Sequence, residues 1–207
     1  MIVKDFDNMD KRDRARFINS LSGFKSLCLV GSKDKNGKTN LAPISSVFHI
    51  GADPALMGMI FRPHSTPRHS LENIIETNSF TLNHVHKDIL HSAHQASARY
   101  DKEESEFIQT NLEEEYLNGF YAPFVKDSRL KLGLKYEEHQ TLKINNTVLL
   151  IASIDFVSLS KDFLRKDMSV DIERAGTLTV SGLDCYHETT QVARLSYAKK
   201  DRDLTEI

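Results

Sequence analysis

Apolar and polar positions in this chain fall mostly into short runs, and strands separated by turns are the first prediction. Leu27-Cys28-Leu29-Val30-Gly31 is almost wholly apolar, which predicts a central strand covered on both faces. Phe80-Thr81-Leu82-Asn83-His84-Val85 alternates and predicts another strand. Leu130, Leu132 and Leu134 alternate again, the strongly apolar Val148 to Ile154 follows, and Leu178-Thr179-Val180 predicts a last short strand. Three stretches have helical character. Residues 8–20 are charged, with apolar Met9, Phe17 and Ile18. A helix opening at Thr66-Pro67 would bury Leu71, Ile74 and Ile75. Residues 88–118 are polar and acidic without a strong apolar face. Strands joined by short turns, with helices inserted, predict a closed or half-closed antiparallel barrel and not a parallel βαβ sheet.

The run from Lys33 to Asn83 carries the most chemistry. Asn36-Gly37 closes a hairpin, and residues 39–50 form its return strand. Pro43 cannot donate a ladder hydrogen bond, so that strand is expected to be bulged there or to lie at a sheet edge. Asp53-Pro54 marks a turn, and Ala55 to Arg62 the next strand. Ser65-Thr66-Pro67 then reads as a helix start, with Thr66 as N-cap and Pro67 at the first helical position. Ala42-Pro43-Ile44-Ser45-Ser46 has few bulky side chains and can form a flat wall. Arg62, Ser65, Thr66 and Arg68 can form an anion cradle, because a helix start presents free amides and a positive dipole end. A planar ligand with a phosphate tail, such as flavin mononucleotide, fits that pair of features.

Composition narrows the picture by exclusion. A chain of 207 residues suits one domain, and a formal charge of −2 demands neither nucleic acid nor an anionic membrane as partner. No apolar run approaches the roughly 20 residues of a membrane helix. Met1 to Asp7 has no basic segment followed by an apolar one, so a cytoplasmic protein without a signal peptide is expected. Cys28 reads as a core residue, Cys185 as an inert thiol, and the two do not make a disulfide scaffold. Glu113-Glu114-Glu115 reads as a solvated helix face. His84, His86, His91 and His94 have spacings that occur among metal ligands, but neither a cysteine nor H-E-x-x-H accompanies them, and no metal site is assigned. Neither G-x-G-x-x-G nor a P-loop is present.

The hairpin at Asn36-Gly37, Asn40-Leu41-Ala42-Pro43-Ile44-Ser45-Ser46, Asp53-Pro54, Thr66-Pro67-Arg68-His69-Ser70-Leu71-Glu72-Asn73-Ile74 and Phe80-Thr81-Leu82-Asn83 occur in an order and spacing that resemble the flavin reductase-like family. The likeness covers residues 24–85 and is looser beyond, through Ser128 to Lys131, Leu149 to Ala152, Gly176 to Leu183 and Arg194 to Tyr197. One departure stands out: the family often carries Lys-Asp-Thr ahead of the helix, where this chain has Thr66-Pro67-Arg68. The resemblance implies an FMN-binding split β-barrel over residues 1–207, mainly β, with a helical insertion at about 88–127 and an irregular tail at about 184–207. It implies FMN in preference to FAD, NADH or NADPH as transient reductant, hydride transfer to the flavin and a homodimer. Ala42, Pro43, Ile44, Ser45, Ser46 and Phe61 would then flank the ring, and Asn83 would bond the ring or the ribityl chain. His84 would stabilise the reduced form. Arg62, Ser65, Thr66 and Arg68 would hold the phosphate. No side-chain catalyst is required, since the cofactor performs the difficult step. Two other readings stay open: an FMN-binding electron carrier or storage protein without efficient nicotinamide turnover, and a ligand-free structural barrel. The insertion is a candidate cover for the cleft, and Arg194 and Tyr197 are candidate contacts to a ligand or to a partner subunit.

Overall fold

The protein is described by a computed structural model covering residues 5–207, so the first four residues of the stretch from which a missing signal peptide was read lie outside the described residues. Asp10 caps α1 (Lys11–Ser20), its carboxylate accepting from the amides of Arg12 and Asp13 at 2.8 and 3.2 Å. This helix buries none of its own residues.

β1 (Lys25–Ser26) and β2 (Cys28–Lys33) lead into the expected hairpin with β3 (Thr39–Ile44). Its turn is organised by Asp34, whose carboxylate accepts from the amides of Asn36 and Lys38 at 2.8 and 2.9 Å. Only Gly37 takes a positive φ, 86°, so the glycine and not the Asn-Gly pair supplies the left-handed step. The return strand does not continue to residue 50. It ends at Ile44, steps through Ser45 and Ser46, and resumes as β4 (Val47–Ala52), which pairs with β5 (Ala55–Phe61).

α2 (His69–Thr77) starts later than Thr66-Pro67 suggests, with Arg68 as its N-cap residue. Residues 64–66 form a turn instead, fastened by Glu72, whose carboxylate meets His64 Nε2 at 2.7 Å and accepts from the Arg68 amide at 3.1 Å. The buried face also differs from the expected stripe. Leu71 and Ile74 are buried, whereas Ile75 is 43% exposed. Ser70 and Asn73 are buried beside them, because Asn40 Nδ2 donates to Ser70 Oγ at 2.8 Å and Asn73 Nδ2 to Ser32 Oγ at 3.2 Å. A polar seam, as much as an apolar one, docks α2 on the hairpin.

β6 (Ser79–His84) precedes a stretch that is only partly helical, holding α3 (Leu90–Gln95) and α4 (Glu106–Gln109). The acidic run after it is not a helix face. Glu114 and Glu115 form β7 (Glu114–Glu115), paired with β8 (Phe124–Val125), and Glu115 is ion-paired with the buried Lys131. The stretch also has an apolar face that its pattern hides. Ala93, Ala96, Phe107 and Leu112 pack with Leu27, Leu29 and Leu41 into a second core outside the sheet. The long β9 (Leu130–Thr141) and β10 (Val148–Leu159) follow, and β11 (Thr179–Ser181) with β12 (Cys185–His187) closes a small sheet with β1.

Seven strands pair in the order β3-β2-β6-β9-β10-β5-β4, every neighbouring pair antiparallel. β3 and β4 thus lie at opposite edges of one sheet, yet only two residues join them. Two residues span a few ångströms per residue, so the sheet curls until its edges meet without a ladder between them. The expectation of a mainly β split barrel with inserted helices holds, and Pro43 sits on an edge strand as anticipated. Two serines anchor the step, Ser46 by extending the β4–β5 pairing and Ser26 by crossing the seam. Ser46 Oγ donates to Ile60 O at 2.7 Å and accepts from the Ile60 amide at 3.2 Å. Ser26 Oγ likewise donates to Val47 O and accepts from its amide, each at 3.2 Å. Inside the curl, Val30, Met59, Ile74, Phe80, Leu134 and Leu150 belong to the main core. Glycine is required at Gly31, where a Cβ would collide with the Pro123 carbonyl oxygen and with Thr81 Oγ1.

Candidate functional site

The split between β3 and β4 opens into a cleft of about 1000 Å³. One wall is the edge strand and its continuation, Ala42, Pro43, Ile44, Ser45 and Ser46. The end of β5 and the loop after it add Phe61, Arg62, Thr66 and Arg68. The two segments singled out in the sequence therefore face one crevice. The insertion lines it too: His94 and residues 96–102 border the cleft, and Glu106 reaches into it.

Not every predicted contact survives. Ser65 is exposed and does not line the cleft. Thr66 lines it but caps no helix. Ser46 lines it while its hydroxyl is engaged by both backbone groups of Ile60, so Ser46 contributes smallness more than a free hydroxyl. Asn83 is removed from the site altogether. It is fully buried, its Nδ2 donates to Leu29 O at 3.2 Å and Thr81 Oγ1 at 2.8 Å, and its Oδ1 accepts from the Val125 amide at 2.9 Å. It ties the barrel to β8 and has nothing left for a ligand.

His84 is likewise structural. Its Nδ1 lies 3.1 Å from Thr177 Oγ1, it does not line the cleft, and burial pushes its pKa down to about 4. With Nδ1 beside Thr177 and no place in the cleft lining, His84 is not positioned to donate to the ring as the resemblance implied. Because the folded pKa lies below the unfolded value near 6.5, the unfolded chain binds the extra proton first. Stability is therefore lost as pH falls from about 6.5 towards about 4. We expect His84→Asn to flatten this part of a melting-temperature profile relative to the parent chain; parallel profiles would mean that His84 titrates normally.

The anion end is better formed than the sequence suggests. No side chain caps α2, so the amides of its first turn are left for water or a ligand. Arg68 Nε is buried and has no hydrogen-bond partner, and a buried donor left so is costly. Arg62 is exposed on the cleft wall, and beside it burial and then the Arg62 charge push the Lys25 ammonium below its usual range. The Glu106 carboxylate accepts from the Leu41 amide at 2.9 Å, and burial holds its pKa above the ordinary range although the nearby His69 of α2 works against this.

Arg194 is ion-paired to Asp167, and Tyr197 is 87% exposed, so within one chain neither reaches the cleft. Two of the histidines with metal-like spacing, His86 and His94, point to separate partners. His86 Nε2 lies 2.8 Å from Asp127 O, and His94 Nδ1 lies 2.5 Å from the Tyr186 hydroxyl. Among the described residues no group of three or more His, Cys, Asp or Glu is placed to hold a metal, and no helix is long and apolar enough to cross a membrane. Cys28 is buried, which pushes its thiol up to about 12, and Cys185 is exposed. The insertion was expected only as a candidate cover, with none of its residues named for that role; Glu106, the 96–102 stretch and Tyr186 are the individual cleft neighbours that the sequence did not single out. They come from the insertion and the tail, and no local signal marks them as neighbours of β3.

Known proteins share this arrangement. A family profile described as a flavin reductase like domain matches residues 25–178. A Shewanella frigidimarina protein assigned as a flavin reductase with a split barrel domain has a crystal structure that superposes with a TM-score of 0.92. It is 50% identical, covering 96% of this chain and 100% of that one. Nitrilotriacetate monooxygenase component B from Bacillus cereus superposes with a TM-score of 0.82 at 17% identity, over 92% of this chain and 96% of that one, a likeness of fold. An uncharacterized protein of Halalkalibacterium halodurans is 26% identical over 133 residues, 63% of this chain and 64% of that protein, so the match spans less than two thirds of that relative. With the profile spanning most of its length and the split barrel in place, this chain belongs to the flavin reductase-like family.

Proposed function

We propose that the cleft binds FMN without a covalent bond and that the chain is an NAD(P)H-dependent flavin oxidoreductase. The observation that carries this reading is the buried, unpartnered Nε of Arg68 beside an uncapped helix start, in the same crevice as the Ala42–Ser46 wall. A phosphate supplies the missing acceptor for both the guanidinium and the first-turn amides. Arg62 adds positive charge along the same wall. Ala42 to Ser46 lets a flat ring approach an edge strand whose backbone groups are free on one side. Phe61 and Ile44 offer apolar contact, and residues 96–102 limit access of water.

Bound FMN would supply the capacity to accept hydride from NADH or NADPH, which no side chain here provides. The chain's own part is to bind, orient and shield. In the same reading it is a single cytoplasmic domain that acts as a homodimer, as the family resemblance implies.

The test is direct. Purified protein is expected to be yellow, or to become so with added FMN, with absorption bands in the blue and near ultraviolet that bleach when NADH or NADPH is mixed in without oxygen. A colourless chain that takes up no FMN overturns the reading. Uptake with negligible bleaching by both nicotinamides would leave an electron carrier in place of a reductase.

A further inference from the structure

Apolar side chains that point out of the cylinder are covered on one half of it: Leu29 of β2 and Leu41 of β3 pack with Phe107 and Leu112 in the second core. The other half points apolar side chains outward as well. On β5, Met57, Met59 and Phe61 belong to the main core or pack on it, so Leu56, Gly58 and Ile60 alternate to the outer face. On β10, Val148, Leu150 and Ala152 are core residues, so Leu149 and Ile151 face out. The register gathers these positions: Leu149 pairs with Ile60, Ile151 with Gly58, and Gly58 with Phe48 of β4. Phe48 and Ile50 lie over Gly58, where a Cβ would come within 2.5 Å of Phe48 Cε2 and 2.8 Å of Ile50 Cδ1. Phe48 is 42% and Ile50 40% exposed, and Leu56, Ile60, Leu149 and Ile151 are half-buried and belong to neither core. α2, α3 and α4 pack on β2, β3 and β6 instead. A sheet with one solvated face alternates apolar and polar residues, whereas unbroken runs such as Leu56 to Phe61 and Val148 to Ala152 suit a sheet covered on both.

A second uncovered surface lies at the end of the chain. Residues 194–207 form a narrow hairpin, with bridges at Leu195–Glu206 and Lys199–Arg202, and the Ser196 amide donates to Thr205 O at 2.8 Å. Val192, Leu195, Tyr197, Leu204 and Ile207 are all exposed. A lone two-stranded hairpin is marginal in water, so this one needs a seat. We propose that a second copy of this chain covers the outer face of β4, β5 and β10, each copy seating its C-terminal hairpin on the face of the other. Three strands of about six residues span roughly 300 Å², whereas stable partners bury about 800 Å² each. The face therefore calls for an occupant that brings further apolar surface, and the hairpin of the same chain is one. A two-fold exchange covers both surfaces in both copies. Ile60 and Thr147 also line the cleft, so the interface borders the ligand. The inference deepens the homodimer of the proposed function and rests on it.

The experiment follows the full chain, with FMN added, by sedimentation velocity over a dilution series. A species of twice the 23.6 kDa chain mass is expected. Phe48→Glu and Tyr197→Glu are each expected to raise the dimer dissociation constant about a hundredfold or more, the effect of burying an unpaired charge in an interface. Phe48→Ala, which buries no charge, is expected to raise it about tenfold, and it decides the matter if the glutamate variant does not fold. Ile108→Glu changes a residue that is 74% exposed on α4, in the covered half, and is expected to stay dimeric. A dimer left intact by Phe48→Glu or by Tyr197→Glu overturns the assigned surfaces while the homodimer stands, and so does an equal loss in Ile108→Glu. An unchanged dissociation constant in Phe48→Ala does the same. A monomer at every concentration leaves the face to the chain's own tail or to an unrelated protein, and overturns both this inference and the homodimer. FMN uptake in the same samples reports separately on the flavin reading.

Discussion

Arg68→Ala is expected to lower FMN affinity by about ten- to a hundredfold while changing riboflavin affinity by no more than about twofold. The guanidinium stands at an uncapped helix start with its Nε buried and unpartnered, so it lacks an acceptor that a phosphate supplies. Hydrogen bonds to charged groups contribute about 1.5–3 kcal/mol each, and each 1.4 kcal/mol is a factor of ten. Riboflavin has the same ring and ribityl chain without the phosphate, so the ratio of the two losses isolates the anion contact. Fluorescence quenching of each flavin, titrated with protein, reads both. Equal losses would move the phosphate elsewhere, with Arg62 as the next candidate.

Asn83→Ala is expected to be the most damaging small change for stability, lowering it by about 3–5 kcal/mol and the melting temperature by roughly 10 °C. Three hydrogen bonds disappear in a fully buried position. The Leu29 carbonyl, the Thr81 hydroxyl and the Val125 amide each lose a partner that water cannot replace. The same substitution separates two roles. If Asn83 touched the flavin, FMN affinity measured at low temperature on folded variant would fall. The geometry predicts that it stays within about twofold while the melting curve moves. Thermal denaturation followed by circular dichroism, paired with FMN titration in the cold, decides.

What could be read from residues alone divides along a physical line. Strand periodicity, the hairpin at Asn36-Gly37 and the edge position of Pro43 are local properties, and each was legible. Which edge met which was not: nothing in Thr39 to Ile50 distinguishes one continuous strand from two strands at opposite ends of a curled sheet. At the step, Ser46 bonds Ile60 of β5 next to the pairing of Val47 with Met59, and Ser26 reaches across the seam to Val47. Thr66-Pro67 is a strong local start signal, but Glu72 holds residues 64–68 as a turn, and the polar docking of Ser70 and Asn73 fixes where α2 lies. The cleft's flat wall and its arginines were therefore visible early. Asn83 and His84 were misassigned because burial of that strand's outward positions depends on β8 and on the segment around Thr177, far along the chain. The Tyr186–His94 meeting, across most of the second half of the sequence, left no trace in either local pattern.

The order of strands has a consequence for synthesis. β2, β3 and β6 form one half of the cylinder and β4 with β5 the other, and all five lie within residues 28–84, yet the strands that join the halves, β9 and β10, are made last of the seven. A nascent chain emerging from the ribosome therefore carries two hairpins hinged at Ser45-Ser46, with β5 and β6 each offering an unsatisfied edge to any neighbour. Only when residues 130–159 arrive as a long β-hairpin do those edges find their partners. Translation that stalls before that point leaves a hinged, sticky intermediate, and a chaperone that shields strand edges is of most use to this protein during that interval.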